Sequence, residues 1–285
     1  MQNMNLILQG LHTVLTQQAA TIQSIAQMSA AKKIVPINRG AIRLENVQCD
    51  ASILQAIGDL CLKAQLDVYH GEQRQLSEFK LVAMDMDSTL ITIECIDEIA
   101  DMQGLKPQVA EITEAAMRGE IEFQESLIRR VGLLKGLEAS ALQRVYDQRL
   151  QLSLGAENML QHMQQAGLKT LLVSGGFTFF TDRMRSRLNL DYTHANVLEI
   201  IDDKLTGKVI GTIVDADEKK RTVEKICAAL GISSQQAIVM GDGANDLKMM
   251  GIAGLSVAFR AKPVVRTQAN VALNFVGLDG VLNLF

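Results

Sequence analysis

Five short apolar runs constrain this chain more than any other feature: residues 80–84, 169–173, 237–240, 255–259 and 271–273. A strand with one wet face alternates polar and apolar residues, whereas a strand covered on both faces does not. Stretches of helical spacing separate these runs, and strands alternating with helices imply an α/β fold with a mainly parallel sheet. Ligands of such sheets bind beyond the carboxyl ends of the strands. Chemistry is therefore expected in the residues that follow the runs.

Those residues carry matching motifs. Asp85-Met86-Asp87-Ser88-Thr89 follows the first run. Two carboxylates two residues apart in extended chain point the same way. Close like charges are costly unless a proton or cation intervenes, and Mg2+ favours one or two carboxylates plus phosphate oxygens. Ser174-Gly175-Gly176 follows the second run, before a helix expected from about Phe177. Its glycines let backbone N–H groups close on an anion at a helix N-terminus. Lys219 lies early in a helix expected over 217–230, where a cation opposes the helix dipole and suggests an anionic partner. Gly241-Asp242-Gly243-Ala244-Asn245-Asp246 brings two more carboxylates to a strand end. Singly, these are a polar turn, a strand-to-helix connection, a solvated lysine and an ordinary Gly-Asp-Gly turn. In order, each where a strand meets a helix, they form a phosphate site.

Two insertions interrupt the α/β pattern. Residues 94–150 read as wholly helical, with breaks near Gly104-Leu105-Lys106-Pro107, Gly119 and Gly136, and residues 197–214 read as a hairpin. Upstream lies a separate α+β unit in the order βαββαβ. Residues 4–8, 33–37, 41–47 and 66–69 are extended, residues 11–28 have helical spacing, and Asp50 can cap a helix to about residue 65. Asn38-Arg39-Gly40 is the expected turn and polar 71–78 the linker, which divides the chain at 1–75 and 76–285.

Bulk properties exclude several classes. A net charge of -4 leaves no electrostatic footprint for nucleic acid or anionic lipid. The four cysteines form no CxxC pair, so a zinc site or disulfide framework is not expected and a reducing, cytoplasmic setting is. Neither a secretory leader nor an 18-residue apolar span is visible, so no membrane partner is expected.

The ordered motifs resemble the haloacid dehalogenase superfamily of phosphohydrolases over residues 79–285, and within it the branch acting on phosphoserine. The likeness to that branch rests on Asp85-Met86-Asp87-Ser88-Thr89-Leu90 followed by Glu94 and Ile96-Asp97-Glu98-Ile99-Ala100, then Val173-Ser174-Gly175-Gly176-Phe177 and Gly241-Asp242-Gly243-Ala244-Asn245-Asp246. The resemblance implies a Rossmann-like core with a helical cap at about 94–150. It implies Asp85 as the nucleophile that becomes an aspartyl-phosphate, and Asp87 as the acid and base. Asp85, the Asp87 carbonyl and Asp242 would hold Mg2+. Ser174, Gly175, Gly176 and Lys219 would bind phosphoryl oxygens, with Asn245 and Asp246 in support. In the cap, Glu94 would receive the ammonium of phosphoserine and Arg130 its carboxylate, under apolar cover from Met117 and Phe123. The first unit resembles the ACT domain, a module that binds amino acids or pairs with its own copy; a structural or homodimer-forming role is the preferred expectation.

Three functions follow from this reading: a phosphoserine phosphatase activity, a phosphotransferase or phosphatase for another small ester, and an amino-acid sensor with an inactive phosphatase body. The intact set Asp85, Asp87, Ser174, Lys219 and Asp242 speaks against the sensor, because a binding module has no need of a nucleophile and an acid.

Overall fold

In a computed structural model, residues 4–11, 14–118 and 120–285 are described. The first unit runs β1 (Met4–Gln9), α1 (Val14–Gln17), α2 (Ala19–Met28), β2 (Lys33–Asn38), β3 (Ala41–Glu45), α3 (Ala51–Lys63) and β4 (Asp67–Glu72). The strands form an antiparallel sheet in the order β2-β3-β1-β4, the ferredoxin-like arrangement. Asp50 caps α3 by accepting from Ile53 N at 2.8 Å. Ile57 and Cys61 of α3, with Ile22 and Ile25 of α2, close one face of the sheet over Leu6, Leu8, Ile42 and Leu44.

The second unit begins with β5 (Leu81–Met84). The cap follows as α4 (Cys95–Asp101), α5 (Lys106–Met117), α6 (Phe123–Leu133) and α7 (Ser140–Gln148). The chain then continues through α8 (Ala156–Gln165), β6 (Lys169–Phe177), α9 (Thr178–Leu188), β7 (Tyr192–Ile201), β8 (Lys204–Ile210) and α10 (Ala216–Leu230). It ends with β9 (Ala237–Gly241), α11 (Leu247–Met250), β10 (Leu255–Phe259), α12 (Pro263–Arg266), β11 (Val271–Leu273) and a last helical turn at Leu278–Leu284. The seven-stranded sheet has the order β11-β10-β9-β5-β6-β7-β8. All its pairs are parallel except β7 with β8. Beginning at β5, the chain first builds β6 to β8 on one side and then β9 to β11 on the other. The crevice where the order reverses lies at the carboxyl ends of β5, β6 and β9.

Three details differ from the sequence reading. Hairpin pairing begins at Val197 as expected but ends at Ile210 rather than 214, and the strand that opens it starts earlier, because the first half of β7 pairs with β6 before its second half leaves to pair with β8. That half reads Tyr-Thr-His-Ala-Asn, too polar to show as an apolar run. Its turn uses Asp202 and Asp203, both at positive φ (49° and 59°), as a two-residue hairpin requires. The expected linker is partly structured: β4 extends to Glu72, and Arg74 stacks on Phe79 and donates to Gly254 O at 2.7 Å. Finally, the helix expected over 11–28 is interrupted at Gln18, with residues 12–13 outside the described residues.

The two units meet at Asp67, the first residue of β4, which is 2% exposed. Its carboxylate accepts from the backbone N–H groups of Asn274, Phe275 and Val276 at 2.8, 2.9 and 3.0 Å, and from Asn274 Nδ2 at 3.2 Å.

Candidate active site

Register places the motifs at one level. Met84 pairs with Leu172 and Met240, so Asp85 emerges beside the ends of β6 and β9. Its backbone N–H donates to Met240 O at 3.0 Å. The chain then turns sharply, with Asp87 extended and Ser88 at φ 56°. This turn buries Thr89 and Leu90 and aims both carboxylates of the first motif toward the crevice.

Lys219 is fully buried one turn into α10. Its Nζ lies 2.8 Å from Asp85 Oδ2 and 2.8 Å from Asp246 Oδ1. Burial alone would strip its proton, but the Asp246 and Asp85 charges outweigh that and hold it charged. Asp246 is also saturated from the other side: its Oδ2 accepts from the N–H groups of Asp242 and Gly243 at 3.1 and 3.0 Å. Asp246 thus fixes both the lysine and the loop after β9. Asp242 is half-buried, and its Oδ1 accepts from Thr89 Oγ1 at 3.1 Å. Asn245 lies half-buried in the same loop.

Oxygens of Asp85, Asp242 and Asp246 all lie within 4.8 Å of one another. One ammonium cannot balance three carboxylates. Burial and the Asp246 charge push the Asp85 carboxyl well up, and the same two causes, with Glu94, push Asp242 up to about 6. A hard cation fits this deficit. Asp242 Oδ2 accepts no hydrogen bond among the described residues and each Asp85 oxygen accepts only one, from Met86 N and Lys219 Nζ, whereas Asp246 Oδ2 already accepts two.

Asp87 differs from its neighbours. Its Oδ1 is buried without a hydrogen-bond partner. Burial, then the Glu94 charge, push its carboxyl up to about 8, while the Cys95 thiol and N–H work the other way. At neutral pH this carboxyl can carry a proton, which suits a group that must give one away.

The phosphate loop lies at the end of β6. Ser174 is fully buried, and its Oγ accepts from Gly176 N at 2.8 Å, leaving its own hydrogen to donate. A Cβ on Gly176 would come within 2.9 Å of Asp87 Oδ2, and one on Gly175 within 3.2 Å of Phe123 Cζ. Both glycines therefore permit close approach, and Phe123 is seated over the loop. The side chain of Met117 lies outside the described residues.

The cap brings two charges to this crevice. Glu94 precedes α4 without capping it; instead Glu94 Oε1 accepts from Ser88 Oγ at 2.6 Å. Glu94 is exposed at the mouth of the crevice, and partial desolvation there pushes its carboxyl up. Arg130 is half-buried and forms no ion pair among the described residues; its Nε donates only to Ser126 O at 3.4 Å. Burial pulls its basicity down, and the charges of Asp97, Glu94 and Asp87 counter this.

Sequence reasoning missed several supporting groups. Thr89 and Ser88 lie inside the first motif, so their hydroxyls could have been assigned. Asn196 carries no such marker: it is 1% exposed, and it donates from Nδ2 to Gly175 O at 2.7 Å and accepts from Val214 N at 2.9 Å.

A buried aspartate pair, a lysine between carboxylates and a serine-glycine loop at adjoining strand ends define a phosphoryl-transfer site. The chain belongs to the haloacid dehalogenase-like hydrolase family, which matches residues 79–254. It is 59% identical over 215 residues to the phosphoserine phosphatase of Polaromonas sp. strain JS666, covering 74% of this chain and 91% of that one. Among solved structures, it resembles an HAD family hydrolase of Salmonella enterica serovar Typhi with a TM-score of 0.88 and 33% identity, over 99% of this chain and 98% of the other. It also resembles the probable phosphoserine phosphatase of Vibrio cholerae with a TM-score of 0.82 and 33% identity, over 99% and 85% of the two chains.

Proposed function

We propose that this chain hydrolyses O-phospho-L-serine to serine and phosphate, the last step of serine synthesis, through a phosphorylated Asp85. The observation that carries the substrate choice is Arg130. A guanidinium is turned toward the crevice with no carboxylate within ion-pair distance among the described residues, across from Glu94. A substrate with a carboxylate, an ammonium and a phosphate supplies what Arg130, Glu94 and the phosphate loop each lack.

In this reading an Asp85 carboxylate oxygen attacks phosphorus while Asp87 protonates the departing serine oxygen. Asp87 then takes a proton from the water that attacks the same phosphorus, and the Asp85 oxygen leaves. Ser174, a Gly175 amide and Lys219 face the phosphoryl oxygens, where charge spreads during transfer. Mg2+ held by Asp85, the Asp87 carbonyl and Asp242 supplies further neutralisation of that charge when bound. Asn245 and Asp246 support this shell, and Phe123 and Met117 cover the substrate.

We assign residues 1–75 to an ACT-like domain and 76–285 to the catalytic domain with its cap at about 94–150. Homodimerisation through the first domain is proposed from its unpaired outer strand β2. No helix among the described residues is long and apolar enough to cross a membrane, and the four free cysteines, three of them buried, support a cytoplasmic setting.

The test compares two substrates. Arg130→Ala and Glu94→Gln should lower kcat/KM for phosphoserine by roughly ten- to a hundredfold, through loss of charge-assisted bonds. Hydrolysis of a small phosphate ester without the amino-acid head should change far less. Equal losses on both substrates would remove the basis for phosphoserine.

A further inference from the structure

We propose that Gln124 and Asp215 form a latch that holds the cap down on the phosphate site. This rests on the reading above, in which Phe123 and Met117 of the cap cover a bound phosphomonoester. Gln124 is the second residue of α6, next to Phe123 over the phosphate loop. Its Nε2 donates to Asp215 Oδ2 at 2.7 Å, a direct bond from cap to core.

Asp215 is well placed to relay that contact. It is the N-cap of α10, the helix that carries Lys219. Its Oδ1 accepts from Glu218 N at 2.9 Å, and its carbonyl accepts from Lys219 N at 2.9 Å. The two carboxylate oxygens are thus divided, one for the lysine helix and one for the cap. Asn196 binds the preceding residue, Val214, to Gly175 of the phosphate loop. The latch therefore bears on both elements that face the phosphoryl group.

The opposite end of the cap is fastened differently. Gly136 N donates to Leu205 O and Leu205 N to Leu137 O, each at 2.8 Å, and Ala139 N donates to Asp203 O at 2.7 Å. Backbone pairing to the β7–β8 hairpin makes this end a fixed edge. At the mouth, Gln124 is an exposed side chain whose bond can break without exposing any core. A pinned edge with a reversible contact opposite is the arrangement a closing lid needs.

A charge-reversal cycle tests the latch. Gln124→Glu sets two carboxylates against each other. It should lower kcat/KM about tenfold on both phosphoserine and the headless ester, a loss equivalent to about 1.4 kcal/mol. Thermal unfolding should not move, because Gln124 is exposed. Adding Asp215→Asn to Gln124→Glu should restore kcat/KM to within about threefold of wild type, since the new amide caps the helix with its oxygen and donates to the new glutamate. Gln124→Ala, which removes the bond without repulsion, should show a smaller loss of the same kind. An unchanged Gln124→Glu enzyme, or a loss that Asp215→Asn does not repair, overturns the proposal. Wild-type turnover separates the two readings: if phosphoserine is not a substrate, the cycle still runs on the headless ester.

Discussion

Among the described residues, buried carboxylates occur at two places, and they are treated in opposite ways. At the junction of the two units, Asp67 collects four hydrogen bonds from one short segment, with no cation in the set. At the phosphate site, Asp85, Asp242 and Asp246 share a single ammonium, and Asp87 leaves a buried oxygen without a partner. Burial raises the Asp67 carboxyl as well, but there amide donors oppose it from three consecutive residues. Satisfied acceptors hold a structure together, whereas unsatisfied ones are retained at a cost and point to a ligand. The difference separates a structural carboxylate from a chemical one without reference to any motif.

Asp85→Asn gives the largest expected effect. It removes the nucleophile, and turnover should fall by at least about a thousandfold. The same change relieves an excess of negative charge, so the unfolding temperature should hold steady or rise. Activity within about tenfold of wild type, with no deamidation back to aspartate, would contradict the nucleophile assignment. A large drop in unfolding temperature would instead place Asp85 with Asp67 among the structural carboxylates.

A smaller effect is expected from pH acting on the metal-free protein. Asp87 and Asp242 have folded-state values raised to about 8 and about 6, from an ordinary 3.8. The folded state therefore binds more protons than the unfolded chain between those limits. Stability that is present at low pH is lost as pH rises toward about 8. After chelation, the unfolding temperature should fall between about pH 6 and pH 8. Saturating Mg2+ should flatten that slope by replacing protons as the balancing charge, and phosphate release should require the ion. A metal-free protein that becomes more stable across this window would break the electrostatic half of the comparison.

Much of the site was legible because its motifs directly follow uninterrupted apolar runs, which fixes their level in the sheet. Side-chain burial was harder to read. Lys219 sits among Lys220 and Arg221 and looks solvated by composition, yet it shares a face with Thr222, Val223 and Cys227, all buried. Helical phase was the available signal. The same holds for Arg130, on the side of Ser126, Leu127 and Val131, whereas Arg129 pairs with Glu125 in solvent. Asn196 and Asp67 gave no such signal. Their partners are backbone groups far away in sequence, and only the fold brings those groups near.

Asp67→Asn should have the smallest effect on catalysis. The amide can offer one oxygen to the facing N–H groups but turns its own donors toward the rest. Leaving buried N–H groups unmatched should cost about 2–4 kcal/mol. Circular dichroism can follow the unfolding, since the chain contains no tryptophan. Below the transition, kcat/KM should stay within about twofold of wild type, because nothing in the Asp67 contact reaches the phosphate loop or Lys219. A route to the metal side does exist: Arg260 N donates to Leu273 O at 2.7 Å, and Lys262 N donates to Asp242 O at 3.1 Å. If Asp67→Asn lowers kcat at a temperature where the protein is fully folded, that route carries strain from the junction to Asp242. The first unit would then act on catalysis through β10 and β11, and the separation between structural and chemical carboxylates would be incomplete.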